Sequence, residues 1–133
     1  MDKADLVESA RLASLNSYSP YSGYKVGAAL LTAEGEIFTG TNIENISYSA
    51  TMCAERTAIF NAVGMGYTDF VAIAVYHSGE DDLPYPCGVC LQVMSEFTGD
   101  NSDFVIYAAN DVITEEYLLE DLLPVRFKGV FNV

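Results

Sequence analysis

Residues 52–57 read M-C-A-E-R-T and residues 86–90 read P-C-G-V-C, and these two short stretches contain every cysteine of the chain. The cysteines are Cys53, Cys87 and Cys90. Three thiols cannot all pair as disulfides, whereas three thiolates can hold a tetrahedral metal ion and leave its fourth position for water or substrate. The two stretches therefore predict a catalytic metal site, and the fold has to bring them together.

The composition indicates a globular domain that handles a small molecule. The chain has 133 residues, 50% of them hydrophobic, which suits a single domain over residues 1–133 with one core. Its 6 Lys+Arg against 19 Asp+Glu give a formal charge of −13. Nucleic acids and anionic membrane surfaces attract cationic proteins, so we expect neither as a partner. A neutral small molecule meets no such penalty.

The first residues and the hydropathy pattern predict a cytoplasmic location. The chain begins M-D-K-A-D-L-V-E, with acids where a secretory signal carries bases and an apolar stretch. No apolar run is long enough to span a bilayer. Cytoplasmic thiols are kept reduced, so the three cysteines are expected to be ligands or nucleophiles and not disulfide partners.

Hydrophobic periodicity predicts strands interleaved with helices. Four helices are expected, at residues 2–15, 51–63 and 88–97 and in the stretch E-E-Y-L-L-E-D-L-L-P that ends at Pro124. Four strands are expected, at residues 25–32, 36–41, 70–76 and 103–108. Thr51 is the expected cap of the second helix and Gly64 its expected stop. This order favours one sheet between two helical layers.

The cysteines are expected at the starts of two helices. Cys53 falls in the predicted first turn of the second helix, and Cys87 and Cys90 open the third. Helix N-termini favour negative charge, which helps a cysteine to ionise and bind a metal. The C-x-x-C spacing suits chelation of one tetrahedral ion, and Cys53 supplies the third sulfur.

Glu55 and Arg56 add chemistry to this site. Two residues along a helix correspond to a rotation of roughly 200°, so Cys53 and Glu55 share one site only if the helix end faces it. A carboxylate beside zinc-bound water can take its proton and later deliver it to substrate. Three thiolates leave a zinc site with net negative charge, and we expect Arg56 to offset this charge by donating to a ligand sulfur.

These motifs resemble those of the small, homotetrameric, three-cysteine cytidine deaminases. The two halves of the zinc signature are C-A-E at residues 53–55 and P-C-G-V-C at residues 86–90. The resemblance implies a three-layer α/β/α sandwich with a mixed five-stranded sheet and one zinc ion per subunit. It also implies hydrolytic deamination of cytidine and 2′-deoxycytidine, in a homotetramer whose sites are shared between subunits.

Further segments of the family pattern supply candidate substrate-binding residues. They are Y-S-P-Y-S-G-Y-K-V-G-A-A-L at residues 18–30, N-I-E-N at residues 42–45 and L-L-P-V-R-F at residues 122–127. By this resemblance Asn42 and Glu44 hold the ribose 3′-hydroxyl, while Tyr48 and Phe127 reach a neighbouring subunit's pocket. The full set of implied substrate contacts is Tyr24, Asn42, Glu44, Tyr48, Ala54 and Phe127.

The chain also departs from the family pattern at two positions. Ile46 stands where a small alanine is usual, close to the sugar end of the expected pocket. Leu91 stands where an arginine commonly follows the C-x-x-C. The second change removes a cation near the thiolates and leaves Arg56 to neutralise them alone.

Several alternatives remain open from the sequence. His77, the only histidine, could complete a closed structural zinc site, although its place at a strand end favours a strand-end or loop role. The thiols could be unrelated, but Glu55 and Pro86 argue otherwise. The protein could deaminate another aminopyrimidine such as a nucleoside antibiotic, edit polynucleotides, or serve as a non-enzymatic zinc-stabilised binding module.

Overall fold

The computed structural model describes residues 2–98 and 103–129, and its elements alternate between helices and strands. In chain order they are α1 (Lys3–Ser14), β1 (Val26–Thr32), β2 (Ile37–Thr41), a short 3-10 helix (Tyr48–Ala50), α2 (Ala54–Gly64), β3 (Phe70–His77), α3 (Gly88–Thr98), β4 (Val105–Ala109), β5 (Thr114–Leu118) and α4 (Leu119–Leu122). The five strands form one sheet in the order β2-β1-β3-β4-β5. Only the β3–β4 pair is parallel, so the sheet is mixed, as the resemblance predicted.

Helices cover both faces of the sheet. Because neighbouring residues of a strand point to opposite faces, the two faces are built from alternate positions. The face against α2 and α3 is a buried cluster that includes Ala28, Leu30, Ile73, Val75, Ile106, Ala58, Ile59 and Met94. The face against α1 is a second buried cluster that includes Leu6, Ala10, Ala29, Ala72, Ala74 and Ala109. The predicted three-layer α/β/α sandwich is therefore confirmed.

The C-terminal region corrects one prediction. The stretch E-E-Y-L-L-E-D-L-L-P was expected to be a helix, but its first half belongs to β5 and only Leu119–Leu122 is helical. Thr114–Leu118 pairs antiparallel with β4, from Ala109↔Thr114 to Val105↔Leu118. Glutamate and leucine are good helix formers, but helix propensity is a small energy per residue, and the hydrogen bonds offered by the open edge of β4 outweigh it.

The start of α2 corrects a second prediction. Thr51 was expected to cap this helix, but the N-cap is Cys53. The N–H of Thr51 instead donates to the carbonyl of Tyr48, and Met52 forms a β-bridge with Ile43. The chain is therefore extended up to Cys53, and the helix begins only at the next residue. Gly64 is the last helical residue and not the stop beyond it.

The strand directions gather several loops at one edge of the sheet. Because β1 runs antiparallel to both β2 and β3, its start lies beside the ends of those two strands. The segments before Val26, after Thr41 and after His77 therefore meet there, and the last two lead to the cysteine motifs. In the described part of the chain, no helix combines the length and the apolar character needed to cross a bilayer.

Candidate active site

Two helix starts carry the three cysteines. Cys53 is the N-cap of α2. Cys87 directly precedes α3, and its carbonyl accepts the first helical hydrogen bond from the N–H of Leu91 at 3.0 Å. Cys90 lies in the first turn of α3 and is completely buried. Both helices thus point their N-terminal ends, which favour negative charge, at the same place.

The sulfur positions fit a tetrahedral zinc ion. The Cys53 and Cys87 Sγ atoms are 4.0 Å apart, the Cys87 and Cys90 Sγ atoms are 3.6 Å apart, and all three lie within 4.8 Å of one another. Zn–S bonds of about 2.3 Å at tetrahedral angles place two sulfurs roughly 3.8 Å apart. Across residues 2–98 and 103–129 this is the one group of three or more metal-binding side chains gathered this closely.

His77 does not belong to the cysteine cluster. Its Nδ1 atom lies 2.9 Å from the carbonyl oxygen of Lys25, at the end of β3. The arrangement gives no support to a closed structural site with His77 as fourth ligand. Three protein ligands beside a cavity are instead typical of a catalytic zinc site.

The thiols strongly affect one another's ionisation. A hydrogen bond from the Cys90 thiol, together with Arg56, lowers the pKa of Cys53 to about 5. The same contact with Cys53, together with burial, raises the pKa of Cys90 above its ordinary value. Three thiolates in so small a space repel each other, so the fully ionised cluster needs a cation at its centre.

Arg56 contacts the cluster from the side of α2. Its Nη2 atom donates to the Cys53 sulfur at 3.3 Å, and the Cys53 and Cys90 sulfurs raise the pKa of the guanidinium. Its Nε atom is buried and, among the described atoms, has no hydrogen-bond partner. The contact that the charge-offsetting hypothesis requires is therefore present.

We predict that Arg56→Gln lowers zinc affinity or turnover by about 10- to 100-fold, the range typical of side chains that support metal ligands. The substitution leaves the negative sulfurs without their cationic donor. Zinc retention would be measured by chelator competition and turnover by steady-state kinetics. Arg11→Gln is the matched control, because Arg11 forms an ion pair with the exposed Glu8 on α1, and its loss changes net charge equally. Equal behaviour of the two variants would refute the role.

Glu55 is the second residue of α2 and lies beside the cysteine cluster. Its side chain is buried, with 4% of its surface exposed. Burial raises the pKa of this carboxyl to about 7. The end of α2, and not one side of it, therefore faces the site, which is the condition under which Cys53 and Glu55 can act together.

A cavity of about 370 Å³ opens over Glu55 and two of the cysteines. Its lining residues are Tyr24, Val26, Asn42, Thr51, Met52, Cys53, Ala54, Glu55, Val75, Leu83, Pro84, Tyr85 and Cys87. The lining is mostly apolar with a few polar groups, as in sites for small organic ligands. The volume is in the range of such sites.

Three of the six expected substrate contacts line this cavity. They are Tyr24, Asn42 and Ala54. The Asn42 amide is held firmly, because its Oδ1 accepts from the N–H of Val26 at 3.0 Å and its Nδ2 donates to the carbonyl of Tyr24 at 2.7 Å. Ser17 Oγ also donates to Asn42 Oδ1, at 2.5 Å. These bonds fix the amide orientation, with Oδ1 towards Val26 and Ser17 and Nδ2 towards the carbonyl of Tyr24.

The other three expected contacts lie outside the cavity of the single chain. The Glu44 carboxylate accepts hydrogen bonds from the N–H groups of Tyr21 and Ser22, at 2.9 and 3.1 Å, and from the Ser22 hydroxyl. Tyr48 and Phe127 are 76% and 75% exposed. Their place in substrate binding stays a prediction.

The two departures from the family pattern also lie outside the cavity lining. Ile46 is 82% exposed. Leu91 is 6% exposed and packs in the core between the sheet and its helices. Leu91 therefore contributes to core packing. The guanidinium that contacts a cysteine sulfur is that of Arg56.

Sequence reasoning missed one wall of the cavity. Leu83, Pro84 and Tyr85 line it from the loop before Cys87, together with the strand residues Val26 and Val75. The Tyr85 hydroxyl donates to Glu115 Oε1 on β5 at 2.8 Å, which ties the loop to the sheet. The only signal in the sequence was the position of L-P-Y directly before the metal motif.

Fold and site together match known enzymes. A cluster of three cysteines with a buried carboxylate beside a cavity suits a zinc-dependent hydrolytic enzyme. The sequence model of the cytidine and deoxycytidylate deaminase zinc-binding region matches residues 1–108, and the chain belongs to this family. The family binds zinc, which confirms the predicted cofactor, and the three cysteines are positioned to hold it.

Individual relatives agree over nearly the whole chain. A cytidine deaminase from Halalkalibacterium halodurans is 44% identical over 130 residues, covering 96% of this chain and 95% of the relative. The crystal structure of a cytidine deaminase from Burkholderia pseudomallei superposes with a TM-score of 0.88 at 41% identity, covering 96% of this chain and 100% of that one. A blasticidin-S deaminase from Bacillus cereus is 33% identical over 111 residues, 78% of this chain and 77% of its own length.

Proposed function

We propose that this protein is a zinc-dependent cytidine deaminase, which hydrolyses cytidine and 2′-deoxycytidine to uridine and 2′-deoxyuridine with release of ammonia. The observation that carries the proposal is that Glu55 lines one cavity together with Cys53 and Cys87, two of the three clustered cysteines. The high identity to cytidine deaminases over almost the full chain supports the choice of substrate.

Cys53, Cys87 and Cys90 would hold the zinc ion. When bound, zinc lowers the pKa of water and so supplies a hydrolytic nucleophile at neutral pH. In the proposed reaction Glu55 would take the proton released in this step and return it to the pyrimidine ring nitrogen. Its burial excludes bulk water, so the proton stays with the carboxyl between the two transfers.

The rest of the cavity suits a neutral nucleoside. The ring of Tyr24 and the side chains of Val26 and Val75 offer an apolar surface to the base. Asn42 offers the polar group expected for the sugar, and its fixed amide orientation determines which hydrogen bonds it can make. The strongly acidic chain adds no attraction for polyanions.

A homotetramer with shared sites and a cytoplasmic location complete the proposal. The backbone of Phe127 is anchored to α3 by a hydrogen bond from Gln92 Nε2 at 3.0 Å, yet its ring is largely exposed. An exposed aromatic ring on an anchored backbone suits a contact with another subunit. A reducing compartment suits three cysteines that must remain free to bind zinc.

Mixing two inactive variants tests whether Phe127 acts across subunits. We expect Glu55→Gln and Phe127→Ala to be impaired separately, and activity to return when the two chains are co-expressed. In mixed oligomers some sites combine an intact Glu55 with an intact Phe127 from a neighbour. If Phe127 served its own subunit, no site could regain both groups, so an absence of recovery in mixed oligomers verified by sedimentation would refute the shared site.

The proposed function is tested by the loss of cytidine's ultraviolet absorbance when zinc-loaded protein is added. Turnover by the wild type, with a loss of about 10²- to 10⁴-fold in Glu55→Gln, is the expected result. Full activity of Glu55→Gln, or no turnover from zinc-loaded, assembled protein, would contradict the proposal. In the latter case, turnover of blasticidin S or another aminopyrimidine nucleoside would redirect it to a different substrate, and its absence would favour a zinc-stabilised binding module.

A further inference from the structure

A stacked pair of rings supports the wall of the cavity. The imidazole of His77 and the phenol ring of Tyr24 have centroids 3.7 Å apart and planes 18° from parallel. Tyr24 lines the cavity, whereas His77, the last residue of β3, is not among the lining residues. The His77 ring therefore reaches the cavity through the Tyr24 ring against which it packs.

The backbone of Tyr24 is already fixed. Its N–H donates to Ser22 Oγ at 3.0 Å, and its carbonyl accepts from Asn42 Nδ2 at 2.7 Å. The remaining freedom of the residue is rotation of its side chain. A second ring packed face to face against the phenol removes much of that freedom, since rotation would break the contact.

The His77 ring is held independently of Tyr24. Its Nδ1 atom lies 2.9 Å from the carbonyl oxygen of Lys25, and because that oxygen can only accept, Nδ1 carries the proton. His77 is also paired with Val26 in the register between β3 and β1. An imidazole fixed by both a strand and a hydrogen bond can act as a rigid support.

We propose that His77 is a positioning residue for nucleoside binding, which holds the Tyr24 ring in the orientation that forms one wall of the substrate cavity. The inference rests on the proposed function, in which Tyr24 contacts the pyrimidine base. It deepens that function by assigning part of the substrate affinity to a residue outside the cavity. His77 has no role in the proton transfers.

Steady-state kinetics on cytidine provide the first test. We expect His77→Ala to raise KM about threefold to tenfold, the value of one aromatic stacking contact, with kcat almost unchanged. His77→Phe keeps a ring in place and should recover most of the affinity. In a Tyr24→Ala background, His77→Ala should add no further effect, whereas a substitution that only loosened the fold would act in both backgrounds. Ser78→Ala, at the exposed next position, is the control.

Proton NMR of the imidazole provides a test that does not depend on turnover. The chain contains 1 histidine, so the two carbon-bound ring protons are identified by their loss in His77→Ala. The ring current of a stacked Tyr24 shifts them upfield. We expect this shift to disappear in Tyr24→Ala and to persist in Ser78→Ala.

The outcomes separate this inference from the proposed function. Unshifted His77 resonances would overturn the stack and the inference, whether or not the protein turns over cytidine. Shifted resonances with an unchanged KM in His77→Ala would overturn the positioning role alone.

If the wild type does not act on cytidine, the proposed function fails, and calorimetric titration with uridine decides the inference. Weaker uridine binding by His77→Ala sustains it, and equal or absent binding overturns it.

Discussion

Replacing Glu55 by glutamine is expected to reduce turnover of cytidine by about 10²- to 10⁴-fold, the usual contribution of a positioned acid–base group. Glutamine has almost the same shape but cannot take up and release a proton. The three cysteines and Arg56 are unchanged in the variant, so its zinc content should equal that of the wild type. Activity would be followed by ultraviolet absorbance and zinc by elemental analysis, with Glu34→Gln in the exposed β1–β2 turn as the matched control.

The same substitution should stabilise the metal-free protein, in a pH-dependent manner. Burial raises the pKa of Glu55 from 4.5 to about 7, so the folded state binds a proton more tightly than the unfolded state does. Stability is therefore lost as pH rises through this interval, by an amount on the order of 3 kcal/mol. Glutamine removes that cost, so the urea midpoints of variant and wild type should agree near pH 4, separate between about pH 4.5 and 7, and differ by a constant amount above that interval. The same difference below as above that interval would contradict the expectation.

Gly40→Ala is expected to destabilise the fold by more than about 3 kcal/mol, because there is no space for a methyl group between β2 and α2. A Cβ atom at this position would lie 2.4 Å from the backbone nitrogen of Ala58 and 2.7 Å from the carbonyl oxygen of Ala54. Both atoms belong to the backbone of α2, so the whole helix would have to move. Because α2 carries Cys53 and Glu55 at its start, zinc affinity and activity should fall together with stability.

Urea denaturation of zinc-loaded protein measures this effect. Gly64→Ala is the matched control, since Gly64 ends the same helix and a Cβ there would meet nothing within 4 Å. Alanine should stabilise that position by up to about 1 kcal/mol. A Gly40→Ala variant as stable as Gly64→Ala would show that α2 does not depend on this close approach.

Local patterns predicted most of the elements but not the last strand. Residues 26–31 and 70–76 are apolar runs long enough for strands covered on both faces, and the sheet contains them. The stretch that became β5 has no such run, and it is a strand only because β4 offers it an edge. A pairing of this kind depends on a partner elsewhere in the chain, so short-range periodicity cannot reveal it.

The sequence by itself determined the chemistry of the site. The relevant features are all local in the chain: the spacing of Cys87 and Cys90, the position of Glu55 two residues after Cys53, and the adjacent Arg56. At a helix N-terminus, residues with such short spacings can all lie around one metal ion. Pattern alone therefore named the metal ligands, the acid–base group and the charge-offsetting cation as candidates.

Only the tertiary structure decided what surrounds that chemistry. The Leu83–Tyr85 wall of the cavity, the stack of Tyr24 on His77 and the close contact at Gly40 each join segments that are distant in the chain. These contacts follow from the antiparallel pairing of β1 with β2 and β3, which brings three strand ends to one edge. Strand register and helix packing arise from the simultaneous burial of both sheet faces, a property of the whole chain that no short stretch encodes.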